Sequence, residues 1–261
     1  MGVLDLFDLS GKAAVVTGGA RGLGRQHALA LAEAGADVAV CDLLEDAGRQ
    51  TCQEIEALGR RAYFGRVDVT HPEEIEAFIT ATVEALGKID ILVNNAARPS
   101  EGIPLAEVDD PLWREIVDTN LSSLFYFGKR VARHMIARGG GGSIINIGSI
   151  NSFVISNILP RHNVTYCVSK AGVAQLTRGM AAEWAAANIR VNAIAPGYFH
   201  TEQTAASARI PEILERNINN TPMKRYGRLD ELKGTIVFLA SSASSYMTGS
   251  VVVIDGGYTI W

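Results

Sequence analysis

The chain predicts a doubly wound α/β fold: one parallel, seven-stranded Rossmann-like sheet with helices on both faces, formed by a single domain over residues 1–261. Three observations predict it. Short apolar runs alternate with longer stretches of helical periodicity along the whole chain. The runs are continuously apolar, as strands covered on both faces are. A glycine-rich segment follows the first run and opens the first helix. Alternation of this kind implies right-handed βαβ units.

In chain order, residues 12–17 read as a buried first strand and 22–34 as the first helix. Strands over 37–41, 61–67, 89–93, 143–147, 189–195 and 250–254 follow, with helices over 45–58, 72–86, 112–137, 166–187 and 229–240. Pro72 suits the start of its helix because its φ is already helical. Glycines 139 to 142 close the long helix before the fifth strand. The segment 198–228 breaks the rhythm with Pro211 and Pro222, and an interruption of this length is expected to be a substrate lid.

Composition narrows the function classes. The chain has 261 residues, 48% hydrophobic and 20% charged, with a formal net charge of −4. That leaves no basic field for nucleic acid or an anionic membrane surface. No apolar run reaches the ~18 to 20 residues of a membrane helix. The start carries Asp5 and Asp8 without an early basic cluster, unlike a signal peptide. Cys41, Cys52 and Cys167 lack disulfide, redox or metal-ligand spacing, and His27, His71 and His134 lie far apart. A reduced, cytoplasmic setting without a bound metal is expected.

The first strand runs into Thr17-Gly18-Gly19-Ala20-Arg21-Gly22-Leu23-Gly24. Gly18, Gly22 and Gly24 sit where the backbone must turn tightly and let a pyrophosphate approach a helix N-terminus. Asp42 closes the second strand, where an acid accepts hydrogen bonds from the adenosine ribose and repels a 2′-phosphate. Leu43 and Leu44 follow, so no adjacent arginine invites that phosphate, although Arg21 in the loop offsets this weakly. The cofactor expected is NAD. Asp68 and Val69 end the third strand, within reach of an adenine. Asn94, Asn95, Ala96 and Ala97 end the fourth, and small residues there let a cofactor lie close to the backbone.

Tyr166 and Lys170 are one helical turn apart on one face. A phenol of pKa ~10 is a poor base at neutral pH, and a nearby ammonium favours the phenolate. The pair makes a tuned acid/base. It follows a strand ending Ile147-Gly148-Ser149, and the Ser149 hydroxyl can hold a substrate oxygen. Asn120 lies inside the long helix, where asparagine is mildly unfavourable, so another role is expected, such as holding a water that links Lys170 to solvent.

Together these residues resemble the short-chain dehydrogenase/reductase family over nearly the whole chain. The likeness rests on TGGARGLG (17–24), Asp42, Asp68-Val69, NNAA (94–97), Asn120, Ser149, YCVSK (166–170) and PGYFHT (196–201). It implies a catalytic tetrad of Asn120, Ser149, Tyr166 and Lys170. It also implies that Pro196, Gly197, the backbone of Phe199 and the hydroxyl of Thr201 face the nicotinamide, that Tyr166 and Lys170 contact the cofactor, and that the protein is a homotetramer. Two departures stand out: Ala97 replaces the family's frequent glycine, and the stretch from Ser149 to Tyr166 is longer than usual. The stretch 176–204 and the ending GGYTIW are similar to members acting on sugar acids and polyols, such as gluconate 5-dehydrogenases.

The substrate expected is a sugar, sugar acid or polyol, facing a polar wall of Ser149, Asn151, Ser152, Asn157, Arg161, His162 and His200. Arg161 and His162 either meet an anionic substrate group or point into solvent from a loop tip. Two other readings stand beside this one. A 3-oxoacyl or steroid-type reductase of the same fold would want a more apolar wall. A non-enzymatic NAD-binding redox sensor would need no tyrosine–serine pair.

Overall fold

The carboxyl ends of seven parallel strands meet along one edge of a single sheet, and everything that positions the site follows from their order. The computed structural model describes residues 2–99, 103–155, 162–201, 204–205 and 209–260. The strands are β1 (Ala13–Thr17), β2 (Asp37–Asp42), β3 (Ala62–Arg66), β4 (Ile91–Asn94), β5 (Gly142–Ile147), β6 (Ile189–Pro196) and β7 (Val251–Ile254). Their spatial order is β3-β2-β1-β4-β5-β6-β7, every pair parallel. The chain leaves β1 towards one side and returns at β4 on the other. The loops after these two strands part there, which opens a crevice at the switch point. The doubly wound architecture expected from the apolar periodicity is the one observed.

The strands alternate which face they feed. Ala14, Val16, Val38 and Val40 point to one side, where α1 (Gly22–Glu33), α2 (Glu45–Ala57) and α8 (Lys233–Ala240) bury Ala28, Leu31, Ile55, Ile236 and Leu239. Ala13, Val15, Ala39, Leu92 and Ile144 point to the other. There α3 (Pro72–Leu86), α5 (Ser123–Arg138) and α6 (Val164–Trp184) supply Ile75, Phe78, Phe127, Val131, Met135 and Met180. Each Val, Leu, Ile, Phe or Met side chain among them, fully buried, contributes about 1.5–3 kcal/mol. Both faces being covered explains why the strand sequences are apolar without alternation. Among the described residues no helix is long and apolar enough to cross a membrane.

Two elements differ from the sequence expectation. The single helix expected over 112–137 is two helices, α4 (Asp110–Val117) and α5, joined by a π-helical turn at Asp118–Ser122. The wider turn accommodates one extra residue and sends Asn120 inward, where it is fully buried. The 198–228 segment contains α7 (Pro211–Asn219), and its two ends are tied together by a parallel bridge between Phe199 and Gly227. The Gly227 N–H donates to Tyr198 O at 2.9 Å, and the His200 N–H donates to Gly227 O at 3.1 Å. A Cβ at Gly227 would strike the Phe199 ring, so glycine is what allows this closure.

On α1, His27 is fully buried and neither ring nitrogen has a partner among the described residues. Burial pushes its pKa down to about 4, so it is neutral at pH 7. The unfolded chain, with a histidine near its ordinary value of about 6.5, then takes up a proton before the folded chain does. Stability falls as pH drops from about 6.5 towards 4, by up to about 3 kcal/mol from this one group. Replacing it, His27→Leu, is expected to remove that part of the acid limb. Urea unfolding at pH 7 and pH 4.5 checks this, and an equal loss in both proteins refutes it.

Candidate active site

The crevice between β1 and β4 is held open by polar groups at the strand ends. Thr17 Oγ1 accepts the N–H groups of Asn95 and Ala96, each at 3.0 Å. Asn95 Nδ2 donates back to Thr17 O and Gly18 O at 3.0 Å. These bonds lock the glycine loop against the loop after β4. Deeper in the sheet, Asn94 Nδ2 donates to Asn146 Oδ1, and Asn146 Nδ2 donates to Thr177 Oγ1 on α6, both at 2.9 Å. Asn94 Oδ1 is buried with no partner among the described residues, at the carboxyl end of β4.

The glycine loop fits a dinucleotide. Arg21 enters α1 with extended backbone, and no side chain caps that helix N-terminus. Its first N–H groups are therefore left to an anion. Gly22 has φ +56, and a Cβ there would meet nothing, so the loop presents an open cradle. At Gly24 the opposite holds: a Cβ would collide with Gly18 O, and only glycine lets helix and loop approach. Beside the cradle lies a cleft of about 450 Å³ lined in part by Arg21, Gly22, Arg25, Gln50, His200 and Thr201. The uncapped helix end and the Arg21 guanidinium suit a pyrophosphate, while Arg25 is paired with Glu54 at 2.6 Å.

On the adenosine side, Asp42 Oδ2 accepts Ala20 N–H and Oδ1 accepts Leu44 N–H, both at 3.1 Å. The carboxylate thus ties the glycine loop to the end of β2. Each oxygen keeps a further lone pair for a ribose hydroxyl. Asp68 Oδ1 accepts the Thr70 N–H at 2.9 Å and its hydroxyl at 2.7 Å. Burial works to raise the Asp68 pKa. The Thr70 bonds and nearby His71 outweigh it, holding the carboxyl below its usual range and ionised. Val69 is buried beside it.

Across the crevice stands α6, capped by Asn163, whose side chain accepts the Tyr166 N–H. Lys170 is only 2% exposed. Its Nζ donates to Ile147 O at 2.8 Å and lies 5.6 Å from the Tyr166 ring centroid. Burial pushes the Lys170 pKa down to about 8. Ser149 follows β5 in extended backbone, and its Oγ accepts the Asn151 N–H at 3.1 Å. The next turn, Ile150–Ser152, packs on α6. A half-buried phenol beside a buried ammonium that is still mostly protonated at neutral pH is a group whose deprotonated form is favoured by that charge.

Asn120 joins this cluster by a route the sequence did not reveal. Its carboxamide oxygen accepts Arg98 N–H at 2.7 Å, and its Nδ2 donates to Arg98 O at 3.0 Å and to Ser169 Oγ at 3.2 Å. Ser169 Oγ donates in turn to Tyr166 O at 2.8 Å. The carboxamide is therefore engaged with protein groups on both sides, and it braces the loop after β4 against the tyrosine's own backbone.

The remaining expected residues lie around the same edge. Pro196 ends β6, and Gly197 N–H donates to Ile254 O at 2.9 Å. Phe199 is buried, its carbonyl accepting the Thr204 hydroxyl at 2.6 Å. Thr201 and His200 line the cleft beside Arg21, with the His200 ring 5.1 Å from that of Tyr226. Leu23 packs beneath the glycine loop and Ala96 beside it. Asn151 is half-buried next to Ser149, and His162 is exposed. Arg161 and Asn157 lie outside the described residues. Thr17, Asn95, Ile147 and Ser169 were not singled out as site residues by sequence, and Ser152, expected on the substrate wall, instead donates to Lys170 O at 2.7 Å. Asn95 could have been, as a second asparagine directly after a strand end; the carbonyl of Ile147 carries no sequence signal at all.

Comparison with known proteins agrees with this geometry. A family model described as enoyl-(acyl carrier protein) reductase matches residues 18–259. The chain is 42% identical to a 2-dehydro-3-deoxy-D-gluconate 5-dehydrogenase of Escherichia coli (strain K12), covering 98% of each chain. It is 39% identical to a galactitol 2-dehydrogenase (L-tagatose-forming) of Cereibacter sphaeroides, again over 98% of each. A gluconate 5-dehydrogenase from Burkholderia cenocepacia J2315, solved in complex with NADP and tartrate, superimposes with a TM-score of 0.93 at 37% identity and covers 100% of both chains. With near-complete coverage at these identities, the chain belongs to the short-chain dehydrogenase/reductase family and is of the gluconate dehydrogenase type.

Proposed function

We propose that this protein is an NAD-dependent dehydrogenase that interconverts a secondary alcohol and a carbonyl on a sugar, sugar acid or polyol. The observation that carries the reaction class is the buried Lys170 ammonium, held on Ile147 O beneath the Tyr166 ring and next to the Ser149 turn. When bound, the nicotinamide ring supplies the hydride acceptor or donor. The protein's own groups handle the proton and the oxygen. Ser149 Oγ binds the substrate oxygen, and the Tyr166 phenolate takes up the alcohol proton as the carbon loses its hydride. Lys170 favours the phenolate that accepts this proton. In the reverse direction Tyr166 returns the proton to the developing alkoxide. Asn120 steadies the tyrosine's helix through Ser169.

Asp42 supports NAD over NADP, because its carboxylate stands at the end of β2 already fixed by two N–H groups. A 2′-phosphate there would meet a like charge. The Burkholderia relative was solved with NADP, and Arg21 lines the cleft, so this preference is the finer part of the proposal. Asn151 beside Ser149 and His200 in the cleft are polar groups suited to a polyhydroxylated substrate, and the Escherichia and Cereibacter relatives are named for a sugar acid and a polyol. The Phe199–Gly227 bridge at the base of the segment 198–228 is compatible with its acting as a lid. Exposed Trp113, Phe125 and Ile136 on α4 and α5, and Val168 on α6, form apolar helix faces suited to subunit contacts in a homotetramer.

Four measurements test this reading. Tyr166→Phe is expected to lower kcat by about 10²–10⁴-fold while NAD binding is retained. Retained activity refutes the acid/base assignment, and equal wild-type rates on cyclohexanol and on a panel of aldonates and alditols refute the substrate class. Wild-type kcat/KM is expected to favour NAD over NADP by at least about tenfold, which is about 1.4 kcal/mol, and Asp42→Ala to shrink that ratio. A variant with the ratio unchanged removes Asp42 as its cause. Light scattering at micromolar concentration is expected to give about four times the monomer mass; a single monomeric species overturns the assembly.

A further inference from the structure

Ser152 was expected to face the substrate, yet its hydroxyl points the other way. Ser152 Oγ donates to the main-chain carbonyl of Lys170 at 2.7 Å. The turn that carries Ser152 does not need this bond for its own shape. Gly148 N–H donates to Ile194 O at 2.7 Å, and Ser152 N–H donates to Ser149 O at 2.9 Å. Those bonds are made by backbone and would survive loss of the hydroxyl. Glycine at 148 leaves room for the side chain: a Cβ there would lie 3.3 Å from Ser152 Oγ, a tight contact.

Lys170 is therefore gripped at both ends by one short stretch of chain. Its ammonium donates to Ile147 O at 2.8 Å, and its carbonyl accepts from Ser152 at 2.7 Å. Between those two contacts, on the same stretch, sits Ser149. Among the described residues no carboxylate pairs with Lys170, so its placement depends on this backbone and hydroxyl geometry rather than on a counter-ion. A turn that shifted along α6 would move the Ser149 hydroxyl relative to Tyr166.

We propose that Ser152 is a positioning residue for the reaction: its hydroxyl sets the register between the Ser149 turn and the Tyr166–Lys170 helix. This rests on the assignment of Ser149, Tyr166 and Lys170 as the acid/base set. Ser152 itself touches neither substrate nor cofactor. Its effect falls on the rate of the bound complex, since proton transfer is sensitive to sub-ångström placement whereas NAD binding relies on the glycine loop across the crevice.

Ser152→Ala and Ser152→Thr are compared with wild type and with Tyr166→Phe. Ser152→Ala is expected to lower kcat about tenfold, within the hundredfold that a displacement of about 1 Å can cost. KM and the NAD dissociation constant stay within about twofold of wild type, and the solvent deuterium isotope effect on kcat rises as proton transfer becomes slower. Ser152→Thr, which keeps the hydroxyl, restores at least half of the lost rate. Full kcat in Ser152→Ala overturns the proposal. So does a fall in kcat matched by an equal loss of NAD affinity with no change in isotope effect, because that marks a merely structural turn. An active Tyr166→Phe variant strikes instead at the acid/base assignment, whatever Ser152→Ala does.

Discussion

An ammonium kept away from water is the constraint around which this site is arranged. Lys170 is almost fully buried, and a charged group there is costly unless it is hydrogen-bonded. Its one described polar contact is the carbonyl of Ile147, the last residue of β5. The lysine therefore ties the longest helix of the fold, α6, to the centre of the sheet at the level where the strands end. Burial pushes its pKa down to about 8, which places the lysine's proton within reach of neutral chemistry. The same contact puts its positive charge near the Tyr166 ring. Stability is sacrificed at this point, and the sheet and helix around it must be rigid enough to absorb the loss.

The rigidity comes from a sequence of polar contacts that is unusual for the interior of a parallel sheet. Asn94, Asn146 and Thr177 link β4, β5 and α6 side by side, and Thr177 closes the set by donating to Val173 O at 2.8 Å. A second set runs from the Arg98 backbone through Asn120 and Ser169 to Tyr166 O. Buried polar groups of this kind favour one arrangement over close alternatives, because any slip leaves a donor or acceptor unpaired. Both sets converge on α6 near Tyr166 and Lys170. The π turn at Asp118–Ser122 belongs to the same design: it interrupts a helix so that Asn120 can leave the helix surface and reach the loop after β4.

The two sides of the crevice are built by different physics. The cofactor side is a matter of backbone: an uncapped helix end, a left-handed Gly22 and the Thr17–Asn95 bonds that hold the loop. Backbone recognition of a pyrophosphate is common to dinucleotide-binding folds, which is why chemistry and fold travel together here. The opposite side is made of side chains on the loops after β5 and β6, the kind of element on which binding sites vary.

The sequence by itself determined the sheet, the glycine loop before α1, and that Tyr166 and Lys170 share one helix face. Each of these is a local pattern: apolar runs fully covered on both faces, glycines where a side chain would collide, and a tyrosine and lysine one helical turn apart. Only the tertiary structure decided that Asn120 sits in a π turn with its carboxamide on Arg98, that Ile147 offers its carbonyl to Lys170, and that Ser152 turns from the expected substrate wall into α6. In each case the partner is a backbone group distant in the chain. Every residue carries the same amide and carbonyl, so no choice of residue type marks which of them will be met until the strands and helices have packed.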